Sequence, residues 1–414
     1  MKKEVIIYFT GKLIPALVTL FIIVLVVRTL GEVEYGRYSL VFYASMLVST
    51  LTFGWIQQST LRFLTAYKDE LETTINRLFH LTILSSVAAV LIMLPVCIFY
   101  FKLTWIETGI VLLYVFLYNF YFFNLTLNQA QTKPLRYAIL EGSFNLLYIG
   151  ILSIFLFVVH VKWFAIIFVS MSLGLVFAEM IRISMPASHK YPVNLANFYW
   201  DPDFTRRMLD FGFTLTIWLF LSNIVTIADR FIISEFFSYK EVGVYSAVKD
   251  IIVKVATFVT APVILAYHPN IVKEWNEGNK EKAGFMIRES TQVILLELLL
   301  VFVAFIFLQD ILYQRILHLS VHIPRMISGL LLGSAFLWQL AMIVHKPLEL
   351  LLKQRLMLII ILIVMILNIA LNLILVPFYG LTAAAFSAFL SSLMYILIVI
   401  LFIIRNRWHK EKIS

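Results

Sequence analysis

"MKKEVIIYFTGKLIPALVTLFIIVLVVRTLG" (Met1–Gly31) starts with two lysines and runs into an apolar stretch too long for the hydrophobic core of a signal peptide. No small-residue cleavage site follows it, so the stretch reads as a first membrane helix and not as a removed leader. The rest of the chain agrees: of 414 residues, 61% are hydrophobic and 14% charged, and the mean hydropathy is +0.92. Soluble domains hold about 45–50% apolar and about 25% charged residues, so this composition is that of an all-α polytopic membrane protein. The 36 Phe and the 15% aromatic content suit lipid-facing surfaces and interfacial belts. The net charge of +9 does not imply nucleic acid, because the basic residues lie in short loops between apolar runs. Cys97, the one cysteine, cannot form an internal disulfide. No Cys/His set has metal-ligand spacing, so neither metal nor cofactor is expected.

A spanning helix needs about 20 mostly apolar residues, and on that rule the chain reads as about twelve transmembrane helices. The first six are Ile6–Leu30, Tyr38–Gln58, Leu78–Phe101, Trp105–Leu127, Leu135–Val159 and Trp163–Met185. The second six are Phe211–Phe231, Val242–Ala266, Val293–Gln309, Met326–Val344, Leu356–Val376 and Leu381–Ile404. Between them "SMPASHKYPVNLANFYWDPDF" (Ser184–Phe204), with Pro186, Pro192 and Pro202, is the longest stretch without a spanning pattern. The expected organisation is a six-helix lobe over residues 1–185, a cytoplasmic linker over 186–204, and a second six-helix lobe over 205–414. With both termini placed in the cytoplasm, about 22 lysines and arginines fall inside against about 8 outside, as the positive-inside rule requires.

The two halves also echo each other. "LGEVEYGRYSL" follows the first span, and "FSYKEVGVYSA" follows the first span of the second half. Glu34, Gly36, Tyr38 and Ser39 thus match Glu241, Gly243, Tyr245 and Ser246 in type and spacing. Such parallel repeats predict a pathway at the interface of the two halves, near the midplane, with transport by alternating access.

On these segments the chain resembles a known family. "LVVRTLGEVEYGRYSL" with "TLRFLTAY", then "DRFIISEFFSYKEVGVYSA", then "NIALNLILVPFYGLTAAAFSAFLSS" (Asn368–Ser392), are similar to the polysaccharide and O-antigen flippases. These belong to the multidrug/oligosaccharidyl-lipid/polysaccharide exporter superfamily, and the resemblance implies its two six-helix lobes around a central cavity. The resemblance runs in order over nearly the whole chain. It implies a flippase that moves undecaprenyl-pyrophosphate-linked oligosaccharide from the cytoplasmic to the periplasmic leaflet of a bacterial inner membrane. The partners implied are that lipid-linked oligosaccharide, membrane lipid and, potentially, polysaccharide polymerase machinery.

A pyrophosphate crossing the apolar core calls for Lys or Arg in a polar cavity. The run "SAVKDIIVKVA" (Ser246–Ala256) places Lys249, Asp250 and Lys254 on one arc of about 140° of the eighth span, with Lys254 about 18 Å along it. These are the leading cavity candidates. The bland alternative is that Asp250 and Lys254, at i and i+4, neutralise each other, which leaves Lys249 without an obvious partner. Lys12 is a further candidate near the cytoplasmic end of the first span, where snorkelling to headgroups explains it equally well. Arg28 and Arg62 sit at helix ends, where interfacial anchoring competes with a cavity role. Arg230 is a further cavity candidate; it and Asp229 are adjacent on the seventh span and point about 100° apart, so each is expected to pair with a neighbouring helix. Glu297, mid-span in "ILLELLL", is a candidate for proton coupling, as is Asp229; Glu297 could equally be neutral and hydrogen-bonded.

Two competing functions remain. A drug or cation antiporter on the same fold would favour acidic groups in its pocket, whereas the deepest cluster here holds more lysine than acid. A membrane polysaccharide polymerase or ligase resembles neither this loop pattern nor its motifs: the outer loops are short, and no Gly-rich nucleotide loop or nucleophile elbow occurs. No enzymatic activity is therefore expected.

Overall fold

Helix boundaries in this chain follow the punctuation of the sequence. The computed structural model describes residues 2–184 and 201–406, with the side chains of Pro15 and of Leu17 onward except Thr65, Lys68 and Asn406. Among the described residues every regular element is helical. The first half comprises α1 (Lys2–Leu30), α2 (Glu32–Phe63), α3 (Leu71–Pro95), α4 (Trp105–Ala130), α5 (Pro134–Phe157) and α6 (Ala165–Ser184). The second comprises α7 (Pro202–Phe236), α8 (Tyr239–Asn276), α9 (Lys280–Asp310), α10 (Arg325–Val344), the short α11 (Lys346–Leu350) and α12 (Gln354–Asn406).

Capping chemistry explains several starts. Thr104 opens α4 with a capping box: its side chain accepts from the Glu107 backbone, while Glu107 Oε2 accepts from the Thr104 backbone at 2.8 Å. Ser238 opens α8 in the same way with Glu241, which gives the Glu of "SYKE" a local role. Pro134 sits in the first turn of α5, where its missing N–H costs nothing. After Pro95, α3 loosens into a π-helical turn (Val96–Tyr100) that holds the buried Cys97.

Ten of these helical stretches are long and apolar enough to cross a membrane, and the apolar Leu17–Leu30 segment of α1 is a shorter one. Within α12, Gly380 has φ 56°, a backbone that favours glycine, so this 53-residue element is two helical arms joined at a sharp turn. The expected eleventh and twelfth spans are those arms. Asn368 on the first arm donates to Ser391 Oγ on the second at 3.0 Å, both residues being fully buried. Such polar contacts hold membrane helices together where lipid leaves no hydrophobic drive for association.

The spans are shorter than the helices that carry them. α7 begins at Pro202, so residues 202–204 of the expected linker are the first turn of a helix. The rest of that linker, 186–200, lies outside the described residues, as do Arg407, Lys410 and Lys412. Contacts group the chain into two compact units: Met1–Ile22 with Arg37–Phe220, and Ile23–Gly36 with Leu221–Ser414. These units and the expected six-helix halves are different divisions, because α7 changes unit at Phe220 and the α1–α2 corner belongs with the second unit.

Candidate functional site

The second unit contains a buried set of four charges. Asp229 and Arg230 stand side by side on α7, and Lys249 and Asp250 stand side by side on α8. Their exposures are 0%, 2%, 5% and 8%, so water solvates none of them well. Lys249 Nζ donates to Asp229 Oδ2, and Arg230 Nη2 donates to Asp250 Oδ1 at 2.7 Å. Adjacent residues on a helix diverge by about 100°, so acid and base of one helix cannot satisfy each other through their side chains. Each reaches the neighbouring helix instead.

Two tyrosines complete the arrangement. Tyr245 Oη donates to Asp229 Oδ2 at 2.6 Å, and Tyr35 Oη donates to Asp250 Oδ2 at 2.7 Å. Asp229 Oδ1 also accepts from the Arg230 backbone N–H at 3.0 Å. The Lys249 ammonium lies 5.6 Å from the centre of the Tyr245 ring. Two acids and two bases sum to zero, and each carboxylate accepts from a base and from a phenol. Burial of an isolated charge costs several kcal/mol, and close pairing with hydrogen-bonded partners offsets it.

Tyr35 enters this set because the α1–α2 corner packs tightly on the start of α8. A Cβ added at Gly36 would lie 2.0 Å from the Tyr239 carbonyl oxygen, and one added at Gly243 would lie 1.7 Å from that of Glu32. The contact is reciprocal. Each repeat glycine meets the carbonyl four residues before its counterpart, so segments 32–36 and 239–243 pack as a local two-fold pair. Nearby, Glu32 accepts from the Ser320 backbone and hydroxyl at 2.6 Å each, and Arg28 Nη2 lies 3.1 Å from His318 Nε2.

These observations correct two expectations. Lys249, expected to lack a partner, is ion-paired with Asp229. Asp250, weighed only against Lys254 of its own helix, is ion-paired with Arg230 of α7. The reason is geometric: the arc of about 140° put Lys249 and Lys254 at its two edges. One edge meets α7, while Lys254 stays exposed. Reading α8 alone could not reveal the acid on α7. The two tyrosines were missed as well, although Tyr245 precedes Lys249 by one helical turn, a spacing that brings side chains together.

The remaining candidates are scattered. Arg62 is exposed at the end of α2, and Arg28 is exposed in the last turn of α1. Lys12 lies on α1, but its side chain is outside the described residues. Glu297 is half-buried on α9 beside the exposed Leu295, Leu296, Leu299 and Leu300, and its Oε2 has no hydrogen-bond partner among the described residues. Farther along α8, the exposed Thr257 follows Lys254 by one turn and accepts from Gln339 Nε2 of α10 at 2.7 Å.

The helices and their order define a class. The chain has the fold of the transporters of the MOP superfamily, the one its resemblance implied. An inward-facing multidrug-resistance MATE family transporter of that superfamily is similar with a TM-score of 0.72 and 13% identity, over 98% of this chain and 100% of the other. An outward-facing structure of such a transporter is similar with a TM-score of 0.68 and 14% identity, over 99% and 97%. A MOP superfamily transporter from Pyrococcus furiosus Vc1, described by the reverse polarity of its binding pocket, gives the same values over the same shares. At such identities the likeness is one of fold. The family comes from the sequence: residues 1–275 match the model "Polysaccharide biosynthesis protein", and the chain belongs to that family. No curated protein matches the chain.

Proposed function

We propose that this protein is a flippase for undecaprenyl-pyrophosphate-linked oligosaccharide, carrying an O-antigen or related surface-polysaccharide repeat unit across a bacterial inner membrane. The observation that carries the proposal is the polysaccharide-biosynthesis family match on a chain with a transporter fold. A polysaccharide pathway needs a membrane carrier where its lipid-linked intermediate is made on one leaflet and used on the other. In this reading the protein is not an enzyme, both termini are cytoplasmic, and polymerase machinery takes the delivered units.

The best-placed group for the pyrophosphate is Lys254. An exposed lysine within a spanning helix is costly against lipid and favourable against water or an anion. Thr257 and Gln339 continue a polar surface along α8 and α10, with hydrogen-bonding groups suited to a glycan. Lys249 is engaged by Asp229 and positions α7 against α8.

The drug or cation antiporter remains the second reading on the same fold. A strain lacking the chain separates the two. The flippase reading expects lost surface glycan, with lipid-linked oligosaccharide accumulating on the cytoplasmic leaflet and both reversed by complementation. Normal surface glycan together with increased drug susceptibility would establish the antiporter instead.

A further inference from the structure

A second polar cluster of the second unit lies away from the four-charge set, at the break between α10 and α11. His345 is the residue that joins those helices, and it is 2% exposed. Its Nε2 lies 2.9 Å from Glu349 Oε1, and its Nδ1 lies 3.1 Å from Tyr395 Oη on the second arm of α12. Glu349 Oε2 accepts from Lys346 Nζ at 2.5 Å. His268, half-buried on α8 and followed by Pro269, is a further titratable group within electrostatic reach of His345, Lys346 and Glu349.

Partner chemistry fixes the tautomer. A carboxylate only accepts, so His345 Nε2 carries the hydrogen, and the bare Nδ1 of the neutral ring accepts from the Tyr395 hydroxyl. A second proton on the ring adds to Nδ1, the nitrogen left bare. The new Nδ1–H donates to Tyr395 Oη, whose own hydrogen rotates away, and both ring nitrogens remain bonded. Both charge states are thus accommodated without moving a helix. The difference between them is charge. Lys346 and Glu349 cancel while the ring is neutral, and the protonated ring makes the cluster +1, with one carboxylate shared between two cations.

We propose that His345 is a proton-binding site and that its loading and unloading is a step of the transport cycle. Asp229, the buried acid considered earlier for coupling, is held by Lys249 and Tyr245. His345, by contrast, has a partner on each side that serves both of its states. It also sits where α10 gives way to α11 and touches the second arm of α12, so its charge acts on the joint between elements. The cycle part of the proposal rests on the transporter reading above; the site itself does not.

The structure supplies a reporter. The Trp338 ring of α10 lies 5.6 Å from the Tyr395 ring, and the Tyr395 ring lies 6.2 Å from that of His345. Full-length protein in phosphatidylethanolamine/phosphatidylglycerol nanodiscs is titrated while tryptophan emission is followed, and the Trp338→Phe trace is subtracted. The difference trace is expected to show a single step as the proton is gained or lost. That step should vanish in His345→Gln and persist in His268→Gln. A flat difference trace from the wild type overturns the site even where His345→Gln fails to fold, and a step that survives His345→Gln overturns it too. In a complemented deletion strain, His345→Gln at normal abundance is expected to lower surface glycan by about tenfold. Full glycan would overturn the role in the cycle. Loss of the flippase reading itself would show separately, as a deletion strain with normal glycan, and would leave the fluorescence result standing.

Discussion

The α1–α2 corner and the α7–α8 corner occupy equivalent places in the repeat, yet different chemistry fills them. With Gly36 matched to Gly243, the offset is 207 residues, and Asp229 and Arg230 fall opposite Ile22 and Ile23. Lys249 and Asp250 fall opposite Phe42 and Tyr43, and Tyr245 opposite Tyr38. In the first half those positions pack as rings: Tyr38 and Phe42 lie 5.5 Å apart, Phe42 and Tyr43 5.3 Å, and Phe42 and Tyr114 6.5 Å. In the second half they carry two crossed ion pairs. A repeat can therefore keep its glycines and its turn while one copy is held by aromatic contact and the other by paired charge. Removing a polar tip from the aromatic set leaves its ring contacts in place, whereas removing one partner of a buried ion pair leaves a charge uncompensated.

This contrast is open to direct attack. Asp229→Ala leaves the Lys249 ammonium uncompensated and should destabilise the protein by about 3–5 kcal/mol, read as a fall in thermal midpoint in detergent. At the equivalent corner, Tyr43→Phe should cost less than about 1 kcal/mol. Similar losses from both would erase the distinction. Gly36→Ala or Gly243→Ala should cost roughly 1–3 kcal/mol, because the new Cβ meets backbone. Gly142→Ala, with nothing within 4 Å of the added carbon, should be neutral or mildly stabilising in the same melting assay. Tyr35→Phe removes one hydrogen bond to a charged carboxylate and should cost about 1.5 kcal/mol, measured by urea unfolding in micelles. Arg28→Ala, at an exposed contact with His318, should change stability by less than about 1 kcal/mol.

The membrane class, the helices and the repeat were legible in the sequence because each rests on local pattern: apolar runs of fixed length, and glycines at matched spacing. Gly380 is an instance, since "VPFYG" between two apolar runs placed a turn where the chain takes φ 56°. Helix ends were less legible, because α7 and α9 continue past the apolar stretch into polar turns that a hydropathy window ignores. The site was legible only in part. Asp229, Arg230, Lys249 and Asp250 stood out as charges in apolar surroundings, and pairing between helices was expected for the first two. That Lys249 is buried against an acid depended on a contact 20 residues apart in sequence. His345 and Glu349 sit among the lysines of a short loop, and only Tyr395, 50 residues away, shows that the histidine is enclosed.

The account separates a buried ionic set that holds α7 to α8 from an exposed lysine one turn farther along. Surface glycan, measured at matched membrane abundance, tests that separation most directly. The neutral pair Asp229→Leu/Lys249→Met should display nearly the wild-type amount, whereas Lys254→Ala should lose about tenfold, the scale of one charged hydrogen bond to a phosphate. Full glycan from Lys254→Ala, with glycan lost in the folded neutral pair, would contradict the account and return Lys249 to the substrate.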